Sequence, residues 1–546
     1  MAQTIAQVIA DMLIANGIDQ LYCLPGVQND DFFDALYDRQ NRLNPVHARH
    51  EQGAAYMALG AAMASGKPQA FCVVPGPGFL NATAALATAY SSNAPIFSLV
   101  GQIPLGAIGK GYGMLHEIPD QLAILRGLTK EAWRIESGAD AGAILQAAFT
   151  GLVSGRPRPV GVEVPVNIWR QQIEPSDLSL TVSTPGTPPL DAGKIADAAK
   201  LLSNAKRPMI FVGGGAQHAS EAVTLLAETI GAPVVAFRNG HGILSAHHPL
   251  STSSPAAHTL WQTCDVVLAL GTRLQMPQMQ WGMDENLDII HVDIDEAEVG
   301  RITTPKIGLV GDARDAATQI TSSLSDAQAD RKEWLQHVAD TKERFAALYQ
   351  EKLAPQLAWL AAIRDELPED GIFVDELTQM GYVSRFAFPV YKPRTFLSTG
   401  YQGTLGWGIA TALGAAHARR DVPVVAISGD GGALYTISEL ATAVRHNIPL
   451  TIIIFNDNAF GNVRRFQIEN YNNRPIASDL TSPDFVKLAE SFGVQSRRVT
   501  TPEELRASLR QSIKSRAPNV IEVPVGEFAS PWGFIMLPKV RGAKPA

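Results

Sequence analysis

Only three cysteines, Cys23, Cys72 and Cys264, are spread over 546 residues. That is too few and too dispersed for a disulfide framework or a zinc site. They read as buried thiols of a protein in a reducing cytoplasm. No apolar run approaches the roughly 18 residues a membrane-crossing helix needs, so no membrane partner is expected. Basic runs are missing too. Lys and Arg number 45 against 53 Asp and Glu, a net charge of −8, which argues against nucleic acid as a partner. The opening stretch MAQTIAQVIADMLIANGIDQLYCLPG is amphipathic with acidic residues inside it, and is expected to be neither a signal nor a transit peptide. Nor does a GxGxxG follow any strand with an acidic residue ~20 positions on, which speaks against a nucleotide-binding dehydrogenase. Three α/β units with Gly-rich turns would otherwise invite that alternative.

What is present is a chain long enough for three or four domains at ~150 residues each. Residues 1–172 alternate helical and strand patterns: helix 4–16, a strand near 20–24, helices 30–38 and 51–65, strand 70–74, helix 80–91 and strand 95–100. This is the βαβ signature of a parallel sheet. QQIEPSDLSLTVSTPGTPPL then reads as a linker. A second α/β unit spans 190–325, with strands at 209–212, 234–236, 266–270 and 289–292, and 326–352 reads as a charged connecting helix. A third unit spans 356–528, and the tail ASPWGFIMLPKVRGAKPA either folds over a neighbouring site or frays. The fold class is therefore α/β, with three open parallel-sheet, Rossmann-like domains.

Chemistry concentrates in residues 424–465, VVAISGDGGALYTISELATAVRHNIPLTIIIFNDNAFGNVRR. Two β-branched runs flank a helical segment, and each ends in a loop carrying a carboxylate, Asp430 and Asp457. As parallel neighbours these strands would place both acids at the carboxyl edge of one sheet, where open α/β folds bind ligands. Two carboxylates beside glycines that expose backbone N–H suggest Mg²⁺ bridging to a phosphate. Either loop alone reads equally as a plain turn.

One ungapped offset of 354 residues, the separation of Gly76 from Asp430, aligns the first unit with the third. It sets Ala58–Ala62 (ALGAA) on Ala412–Ala416 (ALGAA), Leu86–Ala89 on Leu440–Ala443, and Asn93 and Pro95 on Asn447 and Pro449. The outer units thus read as diverged copies of one fold. Only the third carries the acidic loops, so the first should contribute something other than metal binding. Glu51 lies opposite Leu405 in this register, at the head of a helix where the dipole favours a carboxylate.

Together these residues resemble the thiamine diphosphate (ThDP) enzymes of the acetolactate synthase, pyruvate decarboxylase and benzoylformate decarboxylase superfamily. The resemblance covers nearly the whole chain, in the order pyrimidine domain, central domain, diphosphate domain. By the match of Gly429-Asp430-Gly431 and Asn456-Asp457, it implies that Asp430, Asp457 and the Ala459 carbonyl hold Mg²⁺. The diphosphate would lie on Gly431, Gly432 and the Phe460-Gly461 turn, with Gly76, Thr378 and Gln379 also at the cofactor. Asp457 departs from the asparagine usual there, which adds a charge that should tighten the metal and slightly repel the diphosphate. Glu51, in HARHEQGAA, matches the glutamate that activates the aminopyrimidine. In GYQGTLGWG, the Gly403 carbonyl matches the acceptor for the 4′-amino group and Leu405 the apolar wedge.

The same resemblance implies a homodimer or homotetramer acting on a 2-oxo acid or diketone. Gln28 and Asn29, in PGVQNDDFF, match a loop that reaches the active site, with Gln28 and His116 as further candidate catalytic groups. His116 stands where acetolactate synthases carry glutamine, and is alternatively a surface histidine. Asn462 and Phe466 match acceptor-pocket positions that hold methionine and tryptophan there, and the adjacent histidine pair of pyruvate decarboxylases is absent. The reaction expected is a C–C bond lyase or carboligase on 2-oxo acids, with hydrolytic cleavage of a 1,2-diketone as the alternative. In the central unit Gly213–Gly215, Gly271-Thr272-Arg273, His291–Gly300 and Gly311-Asp312 match FAD-contacting segments. RLQMPQMQW replaces the usual Arg-Phe-Asp-Asp, so a structural FAD is allowed but not required.

Overall fold

The β-branched and aromatic runs of the sequence form three six-stranded sheets, each wholly parallel. The computed structural model describes residues 3–173, 179–327 and 329–542. Part of the linker stretch (174–178), the first two residues of the opening stretch and the last four of the tail lie outside the described residues.

In the first unit the strands are Gln20–Cys23, Asn44–His47, Gln69–Val73, Ile96–Gln102, Glu131–Arg134 and Val160–Pro165, and in space they run second, first, third, fourth, sixth, fifth. The third unit, built of Ile372–Val374, Phe396–Leu397, Val424–Gly429, Thr451–Asn456, Gln495–Arg498 and Asn519–Pro524, repeats that order strand for strand. The twin relation read from one ungapped register is thereby a relation of topology. The central sheet follows the different order third, second, first, fourth, fifth, sixth, that of dinucleotide-binding folds.

The twins meet through their most apolar helices. Glu51–Ser65 and Gly408–Ala418 are buried along nearly their whole length, as expected of helices rich in Ala and Gly on every face. Their glycines permit an unusually close crossing. A Cβ on Gly60 would lie 1.8 Å from the Thr411 carbonyl oxygen, and one on Gly414 would lie 1.8 Å from that of Met57. Gly60 matches Gly414 and Met57 matches Thr411 at the 354-residue offset, so the crossing has a local two-fold axis.

Two expectations change. The connecting helix is not confined to 326–352: it runs Lys332–Glu366, with non-helical dihedrals at Leu353 just before Pro355. Pro355 removes one backbone donor and kinks the helix without ending it, so position 356 falls inside a helix. The start of the expected linker is ordered instead, since Gln172–Ile173 pairs antiparallel with Gln3–Thr4. All three cysteines are free and buried. Among the described residues no helix is long and apolar enough to cross a membrane.

Histidines line the seams between units. His417 Nδ1 lies 3.2 Å from the Tyr22 hydroxyl, and the His446 ring packs edge-on against His47 at 5.3 Å. His241 sits 5.0 Å from Phe396 at the seam of the central and third units. Burial above all, then neighbouring cations or histidines, pushes His417, His446 and His241 down to about 4 from 6.5. Unfolding therefore takes up protons as pH falls below 6.5, and stability declines from there to about pH 4. The melting temperature should fall steadily over this window, and His446→Gln should flatten the decline. An unchanged slope in that variant would remove this histidine from the effect.

Candidate active site

The two strands carrying the acidic loops are parallel neighbours, with Gly429 opposite Phe455, and so place Asp430 and Asp457 at one sheet edge. Asp430 opens the helix Asp430–Thr436 and is almost fully buried, with Oδ2 accepting from the Ser482 hydroxyl at 2.6 Å. Asp457 is held in an Asx turn by the Ala459 amide at 3.2 Å and oriented by Gln379 Nε2, which donates to Oδ2 at 3.0 Å. Burial and then the facing Asp430 push the Asp457 carboxyl up to about 6. A carboxyl raised by burial and by a facing carboxylate suits a cation between the two. The Ala459 carbonyl adds a neutral oxygen donor. Two carboxylates, one carbonyl and adjacent phosphate oxygens form a donor set that suits Mg²⁺.

Gln379 is spent on this framework, because its side chain also donates to the Gly526 carbonyl and accepts from Phe528 N–H. It orients the Asp457 carboxylate. The Thr378 hydroxyl caps the next helix by accepting from Gly381 N–H at 2.9 Å. Gly431 and Gly432 have no room for side chains, since a Cβ would lie 2.7 Å from the Phe460 ring or 2.7 Å from Glu376 Oε1. A Cβ on Gly461 would lie 2.6 Å from Asp457 Oδ2.

Glu376 is the residue that the sequence reading missed. It is fully buried just past the strand Ile372–Val374, and accepts from the Gly406 amide and the Ser428 hydroxyl. One carboxylate thus joins the loop bearing Gly403 and Leu405 to the loop bearing Asp430, and it lies beside Thr378 in the third loop. Burial raises it to about 7, against the opposing pull of those donors. Two acids, Asp375 and Glu376, directly after an apolar strand were the available signal.

In the first unit a second cluster forms. Glu51 is largely buried at the head of its helix and accepts from Asn81 Nδ2 at 3.0 Å. A Cβ on Gly78 would lie 3.4 Å from Glu51 Oε1. His116 is half-buried in a left-handed backbone conformation (φ 70), its Nδ1 3.1 Å from Gln28 Oε1. Gln28 and His116 are thus brought together, and Gly76 lies against them, its φ of 59 leaving only 2.4 Å between a Cβ and the His116 carbonyl oxygen. Gly76 N–H donates to Gln121 Oε1 at 2.9 Å, and Gln121 Nε2 donates to Glu163, which pairs with Arg134. Asn29 is 0% exposed and donates to the Val73 carbonyl at 2.9 Å, so its side chain braces the sheet.

Phe466 and Asn462 follow the candidate metal loop on the helix Gly461–Asn470, and Leu405 is half-buried. In the central unit the glycine-rich segments Gly213–Gly215, Gly271–Arg273 and Gly311-Asp312 surround one cavity of about 510 Å³, with Asp293 and Arg238 on its wall and Tyr401 at its edge. Burial, then the Arg385 and Arg273 charges, holds Arg238 down to about 10.

Residues 3–124, 195–320 and 378–523 match the families described as thiamine pyrophosphate enzyme N-terminal TPP binding, central, and C-terminal TPP binding domains. The chain is 33% identical to a probable acetolactate synthase large subunit of Methanocaldococcus jannaschii, over 95% of this chain and 91% of the relative. It is 30% identical to acetolactate synthase isozyme 3 large subunit of Escherichia coli, over 93% and 92%. A probable 2-ketoarginine decarboxylase of Pseudomonas aeruginosa is also 30% identical, over 95% and 94%.

If Glu376 joins the cofactor loops, Glu376→Ala should lower the melting temperature and weaken ThDP binding about tenfold or more, ~1.4 kcal/mol or above. Glu376→Gln, which keeps one acceptor, should fall between. A folded Glu376→Ala variant with native affinity in equilibrium titration would show that the loops hold without it.

Proposed function

The chain belongs to the thiamine pyrophosphate enzymes, in the acetolactate synthase-like group, and from that membership we propose a ThDP- and Mg²⁺-dependent carboligase of 2-oxo acids. One observation carries the proposal: the twins hold complementary halves of a site. The third unit carries paired carboxylates with glycine-lined turns, and the first carries the buried Glu51 carboxylate, free of any cationic partner among the described residues, and a Gln–His pair.

Bound ThDP supplies the electron sink that allows a C–C bond beside a carbonyl to be broken or made. Asp430, Asp457 and the Ala459 carbonyl would hold the metal, and the amides of Gly431 and Gly432 in the first helical turn would receive the diphosphate. The Glu51 carboxyl would meet the ring nitrogen of the aminopyrimidine and exchange a proton with it, with Asn81 fixing the orientation. The Gly403 carbonyl would accept from the amino group, and Leu405 would support the bent cofactor. Gln28 and His116 supply hydrogen bonds to the substrate's oxygens, each fixed by the other. Asn462 and Phe466 would border the acceptor.

At equal identity one relative's name speaks of acetolactate and another's of 2-ketoarginine, so the substrate class is taken as 2-oxo acids, with the side chain set locally. Leu80 and Leu434, equivalent in the twins, are 43% and 45% exposed beside the candidate site loops, as is Tyr435 at 53%. Matching apolar faces of this kind suit a second copy that brings the first unit of one chain to the third of the other, hence a homodimer or a pair of dimers. The cationic, glycine-lined cavity of the central unit suits a dinucleotide phosphate such as that of FAD, in a structural role. The three buried thiols suit a reducing cytoplasm.

Pyruvate, aromatic 2-oxo acids and 1,2-diketones offered with ThDP and Mg²⁺ should separate the outcomes. Acetolactate and CO₂ from pyruvate are expected, and diketone cleavage without ligation would overturn the proposal. Glu51→Gln should keep ThDP bound while slowing turnover ~10²-fold or more, and unchanged turnover would remove this role. For Asp430→Ala, calorimetry should find Mg²⁺-dependent ThDP binding abolished; retained affinity would place the metal elsewhere.

A further inference from the structure

The C-terminal segment Gly526–Arg541 crosses from the metal loop to the central unit and is fastened at both ends. At the metal loop, Gln379 contacts Gly526 and Phe528, Arg465 pairs with Glu527 at 3.1 Å, and Gln356 donates to the Ala529 carbonyl at 2.8 Å. At the far end Arg541 is 4% exposed and pairs with Asp284 at 2.7 Å, while the Val540 and Arg541 amides donate to the Trp281 carbonyl. There the chains run so close that a Cβ on Gly282 (φ 90) would lie 2.2 Å from the Arg541 carbonyl oxygen. Backbone contacts of this kind make a strap held by main chain as well as side chains. The open choice between a frayed tail and a covering one falls to the covering one.

Between these anchors Trp532 is fixed in three directions. Its Nε1 donates to Asn462 Oδ1 at 2.8 Å, and its ring lies 5.0 Å from Tyr382 and 5.1 Å from Phe466. A cavity of about 230 Å³ opens beside Asp457, walled by Trp532, Tyr382, Asn462, Gln379 and Ile468. Arg464, Arg465 and Glu527 also line it, so charged groups stand beside the aromatic ones. The end at Asp457, Ala459 and Gly461 belongs to the candidate metal and diphosphate loop, which leaves the end walled by Trp532, Tyr382 and Ile468 for the side chain of a substrate.

Resting on the reading of the site as a 2-oxo acid carboligase, we propose that Trp532 is a specificity-determining residue: it closes this cavity and limits the length of the substrate's side chain. The indole acts in two ways. It occupies the space that a longer side chain would need, and by engaging Asn462 it fixes the one polar side chain at the acceptor position. Neither Asn462 nor Phe466 alone then sets the pocket, because both lean on a residue supplied from about 70 positions further along the chain.

The test measures kcat/KM with 2-oxo acids of increasing side-chain size, from pyruvate through 4-methyl-2-oxopentanoate to phenylpyruvate, on the full chain with ThDP and Mg²⁺. Trp532→Ala should raise the ratio for the largest acid over pyruvate at least tenfold, Trp532→Leu should raise it less, and ThDP affinity should stay native in both. Trp532→Leu also serves if the alanine variant loosens the strap, as melting curves would reveal. A native size profile in either folded, ThDP-binding variant overturns the proposal. If Phe466→Ala moves the profile while the Trp532 variants do not, the strap proposal falls and the carboligase reading stands. If the native protein binds ThDP and turns over no 2-oxo acid, both fall.

Discussion

The approach of Gly60 to the Thr411 carbonyl and of Gly414 to the Met57 carbonyl is the constraint on which the rest of the structure depends. Any side chain at either glycine would push the helices apart, and both helices begin at candidate site residues. Glu51 heads one, and the loop with Gly403 and Leu405 leads into the other. The third unit also satisfies the first directly, since the buried Glu439 carboxylate accepts from the Arg49 and His50 amides at 3.0–3.1 Å, just ahead of the Glu51 helix. A helix start needs such acceptors, and here a different domain provides one. The position of Glu51 is therefore a property of the pair of twins, not of its own unit.

Donor supply, not residue type, separates the buried carboxylates into roles. Glu163 is matched by Arg134 and by two glutamines, so it serves as a brace beneath the Gly76 turn. Glu376 has neutral donors from two loops and acts as a tie between them. Asp430 and Asp457 have few donors and face one another, which leaves charge for an incoming cation to balance. Three arrangements of one functional group thus build the scaffold, the tie and the site.

Much of this was legible in the sequence because it is periodic or local. The helix 51–65, the strand pairing that joins the acidic loops, and the twin relation all follow from patterns that a single register displays. Features that depend on contacts distant in sequence were not. Asn29 sits beside Gln28, yet its side chain turns into the sheet while its neighbour's reaches His116, a difference that no local pattern encodes. Glu376 and Gln121 carry no motif, and their importance comes from what packs against them. The long helix was cut short at 352 because its charged surface pattern gives way to a buried apolar one near Pro355, which reads as a boundary although the helix continues.

Twinning across the length of the chain has a consequence for how the molecule is made. The Ala- and Gly-rich face of Glu51–Ser65 can be covered only when Gly408–Ala418 has been synthesised, 354 residues later. At ordinary elongation rates of ~5–20 residues per second, that leaves the first twin waiting roughly 20–70 s on the ribosome with its flattest apolar surface bare. A nascent chain in that state is a natural client for a chaperone. It is also open to a mistaken partner of its own kind, because the first twin of a neighbouring nascent chain presents the same glycine-bearing helix.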